Sequence, residues 1–119
     1  MLGSGNGNIK LSDQSWAALE RTRRIVDELS SKDEPVYGIN TGFGRFSNVK
    51  IPTDKLRELQ YNLIRSHSTG VGKILPIDPS RRIVALRINT LAKGFSGISL
   101  DVVKRLIEFF NSGCVPWIP

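Results

Sequence analysis

A chain of 119 residues, 39% hydrophobic and 24% charged, has the composition of one globular domain with a modest core. No apolar run approaches the roughly 18 residues that a membrane helix needs, and a single cysteine, Cys114, excludes an internal disulfide framework and fits a reducing compartment, the cytoplasm. The net charge of +6 invites nucleic acid as a partner, through Arg21, Arg23, Arg24, Arg81 and Arg82. Acids at Glu20, Asp27 and Glu28 interrupt the first cluster and no aromatic residues alternate with the bases, so nucleic acid is not expected to bind, and without a long apolar run no membrane partner is expected either.

Residues 1–8 are rich in Gly, Ser and Asn without an apolar stretch, and read as a flexible lead-in to a helical region over 9–119. Ser12 is a good N-cap with Asp13 behind it, and Leu11 and Trp16 stand where a hydrophobic staple forms. Trp16, Leu19, Val26 and Leu29 continue at helical spacing; the pattern fades over 30–33 and Pro35 closes it.

The next stretch, 37–44, reads Tyr-Gly-Ile-Asn-Thr-Gly-Phe-Gly. Its glycines release the backbone from Cβ sterics, so the segment is a poor helix and a poor strand and reads as a loop. They would let Tyr37 move or let a ligand approach the main chain. An ordinary surface turn with a partly buried tyrosine fits the same composition. The spacing is not that of a phosphate loop.

A second helix is expected from an N-cap at Thr53 to a stop at Gly70, with Leu56, Leu59, Leu63 and His67 on one side. His67, the only histidine, therefore sits on or beside an apolar stripe. Two readings are open: a half-buried core imidazole, or an imidazole aimed into a pocket, where a ring that exchanges protons near neutral pH suits catalysis or recognition. One histidine with no Cys/His cluster makes no metal site.

Asp78 and Pro79 predict the cap and first position of a third helix, with apolar residues at 83, 84, 86, 88, 91 and 92 covering more than one face, ended by Gly94. Ile98 and Ser99 repeat the staple and cap before a fourth helix to about Asn111, striped by Val103, Leu106, Ile107 and Phe110 and capped by Gly113. The apolar ending 114–119 and the unspent apolar surface of the third helix read as a helical piece of something larger.

Four blocks carry a family resemblance: VYGINTGFG at 36–44, LQYNLIRSHSTGVG at 59–72, LRINTLAKGFSGIS at 86–99 and FFNSGCVPWIP at 109–119. Together, and in this order, they resemble the aromatic amino acid ammonia-lyase family from about Ile9 to Pro119. The Ser66-His67 pair is similar to the histidine ammonia-lyase branch, whose members convert L-histidine to trans-urocanate and ammonia. Tyrosine or phenylalanine lyases and aminomutases are the alternatives within the family. A non-catalytic helical fragment that docks on a partner is the alternative outside it.

The resemblance implies a mainly α fold with little or no sheet, the N-terminal helical portion of the aspartase/fumarase-like ammonia-lyase fold. It implies a homotetramer in the full-length form, acting on a small amino acid, and an electrophilic methylidene-imidazolone made by cyclisation of Ala-Ser-Gly. By matching position Tyr37 would be the mobile-loop general base on the β-proton. His67 would contact the substrate side chain, and Gly44 would let the loop backbone pass beside the ligand. A glycine-flanked loop that closes on substrate and expels water suits such a base. No Ala-Ser-Gly occurs in the chain: Ser96-Gly97 follows Phe95 and Ser112-Gly113 follows Asn111. These residues alone are therefore expected to lack an electrophile and lyase activity.

Overall fold

The computed structural model describes residues 7–119, apart from the Phe46 side chain. The lead-in expected over 1–8 thus lies, up to residue 6, outside the described residues. The order of elements is α1 (Asp13–Ser30), short 3₁₀ turns at Gly44–Phe46 and Thr53–Lys55, α2 (Leu56–His67), α3 (Ile77–Leu91) and α4 (Leu100–Asn111). Among the described residues β-pairing is confined to one isolated antiparallel bridge, Thr41 with Lys50. The mainly helical expectation holds.

Two compact units divide the chain: residues up to Arg23 together with Gly70–Pro119, and Arg24–Thr69. In the first, α3 and α4 pack together along stripes set by helical periodicity. Val84, Ile88 and Leu91 on α3 are buried one turn apart, and Val103 and Phe110 on α4 are buried two turns apart. Leu106 and Ile107 lie between the latter and touch both halves of the core, as does Leu11 from the N-terminal segment. Leu19 enters from α1 and is fully buried against Leu91 and Val103. Each such side chain contributes about 1.5–3 kcal/mol by leaving water.

Polar contacts tie the N-terminal segment onto this core. The Asn111 amide pairs with the backbone of Ile9 as a neighbouring strand would, accepting from Ile9 N at 2.8 Å and donating to Ile9 O at 3.0 Å. Arg81 stacks its guanidinium 3.9 Å from the Phe110 ring centroid, where a cation meets the negative face of the ring. The same guanidinium donates to the carbonyls of Phe110 and Gly7.

Caps decide where the helices stop and start. Ser12 accepts from Ser15 N at 3.2 Å, as expected of an N-cap, and Leu11 and Trp16 both pack on the same core cluster. Thr53 caps nothing. A 3₁₀ turn leads into α2, and that helix stops at His67 rather than at Gly70, because Ser68 leaves helical geometry at ψ 60. Asp78 and Pro79 lie inside α3, which begins at Ile77 with Pro76 before it. Proline is tolerated there because first-turn N–H groups have no helical partner to lose. Gly94 and Gly113 end α3 and α4 with φ 69 and φ 76 as expected.

The second unit is held differently. Its buried residues include Asn40 and Thr41, while every fully buried apolar side chain among the described residues belongs to the first unit. Gly42 N donates to Val49 O at 3.1 Å and Ile51 N to Asn40 O at 2.9 Å, closing the loop beside the Thr41–Lys50 bridge. On its outside Lys50 Nζ meets Asp33 at 2.6 Å. That hydrogen bond, with the ammonium charge, holds the Asp33 carboxyl below its ordinary range.

Two expectations follow. A Cβ on Gly94 would stand 2.8 Å from the Ala18 carbonyl carbon in α1, besides requiring a left-handed φ. Gly94→Ala should therefore cost at least about 1–2 kcal/mol in urea unfolding; a change below about 0.5 kcal/mol would show that the turn shifts freely. A lowered folded-state carboxyl value stabilises above the ordinary aspartate range near pH 4, and that stabilisation is lost as pH falls through the lowered value. The small stability difference between the native chain and Lys50→Gln should thus shrink on acidification and in high salt. A difference that persists unchanged at acid pH would assign it to something other than this pair.

Candidate functional site

The three residues singled out by sequence all fall in the Arg24–Thr69 unit. Tyr37 occupies a turn in which Ile39 N and Asn40 N both donate to Val36 O. Its side chain is 62% exposed, so the partly buried tyrosine of an ordinary turn is not what forms. The ring leans on Phe43 edge to face, with centroids 6.1 Å apart and planes at 75°. Such pairs favour the positive edge of one ring on the negative face of the other. The phenol is thereby placed by a weak apolar contact and faces solvent.

Two glycines shape the backbone on either side. Gly38 has φ 78 and Gly44 has φ 57, and a Cβ at either would meet nothing within 4 Å. The requirement for glycine at these positions is therefore conformational rather than steric. Gly44 opens the 3₁₀ turn Gly44–Phe46 and is exposed, so main chain is accessible there.

His67 is the last residue of α2 and is exposed, not the half-buried stripe residue that helical spacing suggested. Leu56, Leu59 and Leu63 keep the stripe half-buried up to the preceding turn. The reason lies in the helix end. Final carbonyls of a helix lack partners, and His67 Nδ1 lies 2.9 Å from Leu63 O, drawing the ring back along the helix. A carbonyl can only accept, so this contact is a hydrogen bond in the tautomer that carries its proton on Nδ1, which leaves Nε2 as the acceptor. Ser66 Oγ donates to the same carbonyl at 2.8 Å and lies 2.9 Å from Nδ1. The Ser66-His67 pair is thus one hydrogen-bonded unit at the helix terminus.

Among the described residues no hydrogen bond or ring contact joins Tyr37 to His67. A groove of about 390 Å³ lies elsewhere, between the segment Ile9 to Ser15 and the α3 residues Ala85, Ile88 and Asn89 with Ala92 just after the helix, and neither Tyr37 nor His67 lines it. No cluster of metal-ligating side chains occurs among the described residues, and none of their helices is long and apolar enough to cross a membrane.

Sequence reasoning passed over two residues that the structure makes important. Asn40 is fully buried at the base of the Tyr37 turn. Its type was the available signal, since asparagine often bonds backbone groups of its own turn. Phe43 partners the phenol, and an aromatic six residues on across a glycine-rich loop gives little warning of that.

Comparison with known proteins places this geometry. The sequence profile of the aromatic amino acid lyases matches residues 2–119. Histidine ammonia-lyase of Bos taurus is 49% identical over 118 residues, which is 99% of this chain and 18% of that protein. A crystal structure of histidine ammonia-lyase from Trypanosoma cruzi superposes with a TM-score of 0.89 at 43% identity, over 98% of this chain and 23% of that one. Tyrosine aminomutase from Streptomyces globisporus superposes with a TM-score of 0.88 at 38% identity, over 95% of this chain and 22% of that one. The chain thus spans about a fifth of the length of the relatives it matches. It has their helical fold over that span, and it belongs to the aromatic amino acid lyase family.

Proposed function

We propose that this chain is the N-terminal part of a histidine ammonia-lyase, and that in the complete polypeptide it supplies the general base and a side-chain contact for β-elimination of ammonia from L-histidine. The 49% identity to the bovine histidine ammonia-lyase over nearly the whole chain is the observation that carries this reading. Trans-urocanate, a homotetrameric assembly and a cytoplasmic location belong to the same proposal.

The chemistry of the named residues supports it. In the elimination a base takes the β-proton, the C–H electron pair becomes the new double bond, and the amine leaves with the electrons of the C–N bond. Tyr37 is the proposed base: an exposed phenol on a turn beside Gly38 can come within hydrogen-bond reach of a substrate carbon. To act so, it must be met by surroundings that favour its phenolate. His67 is the proposed contact to the substrate imidazole, with Nδ1–H held by Leu63 O and Nε2 left to accept from the substrate ring N–H. Gly44 is proposed to let the loop main chain lie close to the ligand.

The residues present do not make the family's methylidene-imidazolone. Ser112 donates to Phe109 O and Gly113 closes α4 at φ 76, an ordinary helix end. No Ala-Ser-Gly occurs to cyclise, so the electrophile has to come from another part of a longer polypeptide. A tyrosine substrate is the second reading, favoured by the likeness to tyrosine aminomutase.

In the complete polypeptide, Tyr37→Phe should lower kcat by on the order of 10²–10⁴-fold while histidine binding changes little, followed by the ultraviolet absorbance of urocanate. Unchanged turnover would remove Tyr37 from the role of base. His67→Phe should move preference from histidine toward phenylalanine, because a site built for a polar ring loses its hydrogen-bond partner. Equal kcat/KM ratios before and after the substitution would exclude His67 as a selectivity residue.

A further inference from the structure

Asn40 lies three residues after Tyr37 and is 1% exposed, an unusual place for a primary amide. Its side chain is fully occupied by backbone groups. Oδ1 accepts from Val36 N at 2.6 Å, and Nδ2 donates to Lys32 O at 3.3 Å and to Glu34 O at 3.0 Å. Its own N donates to Val36 O at 3.2 Å, and its carbonyl accepts from Ile51 N at 2.9 Å. One residue therefore ties positions 32, 34 and 36 on one side to position 51 on the other. Between Val36 and Asn40 only residues 37–39 remain, with Gly38 at φ 78 among them.

The chemistry of the amide is specific to this arrangement. Val36 N needs an acceptor while the carbonyls of Lys32 and Glu34 need donors, and they converge on one side chain. A carboxylate supplies only acceptors, a serine only one donor, and an aliphatic residue neither. Asn40 itself is buried, so an amide left unpaired at that position would be costly.

We infer that Asn40 is a positioning residue for the lyase reaction: it anchors both feet of the Tyr37 turn, so that loop movement is confined to 37–39 and returns the phenol to one place. This inference rests on the reading of Tyr37 as the base. A proton-transfer group misplaced by about 1 Å can cost on the order of 100-fold in rate, which sets the scale of the effect. Asn40 touches no reacting atom in this scheme and acts through Tyr37.

The test uses Asn40→Asp, which keeps Oδ1 for Val36 N and loses both donors, with Asn40→Ser as the milder replacement. Backbone amides at 36, 42 and 51 should exchange with deuterium about tenfold faster or more in Asn40→Asp than in the parent, with exchange in α3 and α4 unchanged. In the complete polypeptide kcat should fall on the order of 10- to 100-fold with KM within about twofold. Acidification should partly restore kcat relative to the parent, since a protonated carboxyl regains one donor. The double variant Asn40→Asp with Tyr37→Phe should be no slower than Tyr37→Phe alone. Unchanged exchange in the loop overturns the anchor. Faster exchange with rate losses that multiply overturns action through Tyr37. If Asn40→Asp does not fold, the same exchange, kcat and double-variant comparisons are made with Asn40→Ser, and the same results decide. If Tyr37→Phe alone is silent, the reading of Tyr37 fails and the positioning role fails with it, while loop exchange still reports whether Asn40 is the anchor.

Discussion

The hydrogen bonds that the Asn40 amide accepts from Val36 N and donates to the carbonyls of Lys32 and Glu34 stand where apolar packing would otherwise hold the loop that carries Tyr37. Around it lie the Thr41–Lys50 bridge, the Gly42–Val49 and Ile51–Asn40 backbone bonds and, on the outside, the Lys50–Asp33 ion pair. The fully buried apolar side chains among the described residues all lie in the other unit. Each buried hydrogen bond is worth only about 1 kcal/mol net, yet its direction is strict. Such a loop has its directional bonds at the anchors, while Tyr37 at its tip is exposed.

That combination suits the role proposed for Tyr37, a base that approaches a substrate and returns. The 37–39 tip presents an exposed phenol resting on Phe43, a contact weak enough to break when something better offers. At the end of α2 the His67 ring is drawn back onto Leu63 O, so its orientation is set by an orphan carbonyl of the helix. The phenol is thus placed by one ring contact and the imidazole by a backbone carbonyl, neither by a surrounding apolar wall.

The other unit works by the opposite means. Stripes on α3 and α4, with Leu19 from α1, make a dry core, and Arg81 and Asn111 fasten the N-terminal segment to it. The reverse faces of the same helices keep Ile83, Leu86, Val102 and Phe109 in contact with solvent. The third helix is apolar over more of its circumference than this core covers, as its sequence indicated.

Helix identity and the core stripes could be read from the residues themselves, because periodicity and glycine stops are local properties. Ser12, Gly94, Gly113 and the Val103 to Phe110 stripe are cases in point. Starts governed by proline geometry were not legible: Asp78 looks like a cap, but α3 begins at Ile77, directly after Pro76. The loop composition announced a turn with special backbone, and four blocks pointed to the family. The exposure of His67 and the burial of Asn40 depend on which carbonyls and amides the folded chain leaves within 3.5 Å of a side chain. Residue types and spacing determined that this protein is helical with a glycine-rich loop after its first helix, and the resemblance of four sequence blocks pointed to the lyase family. Only tertiary structure decided which polar side chain is sealed inside to hold the loop, because that choice depends on backbone groups up to eight residues away converging on one buried amide.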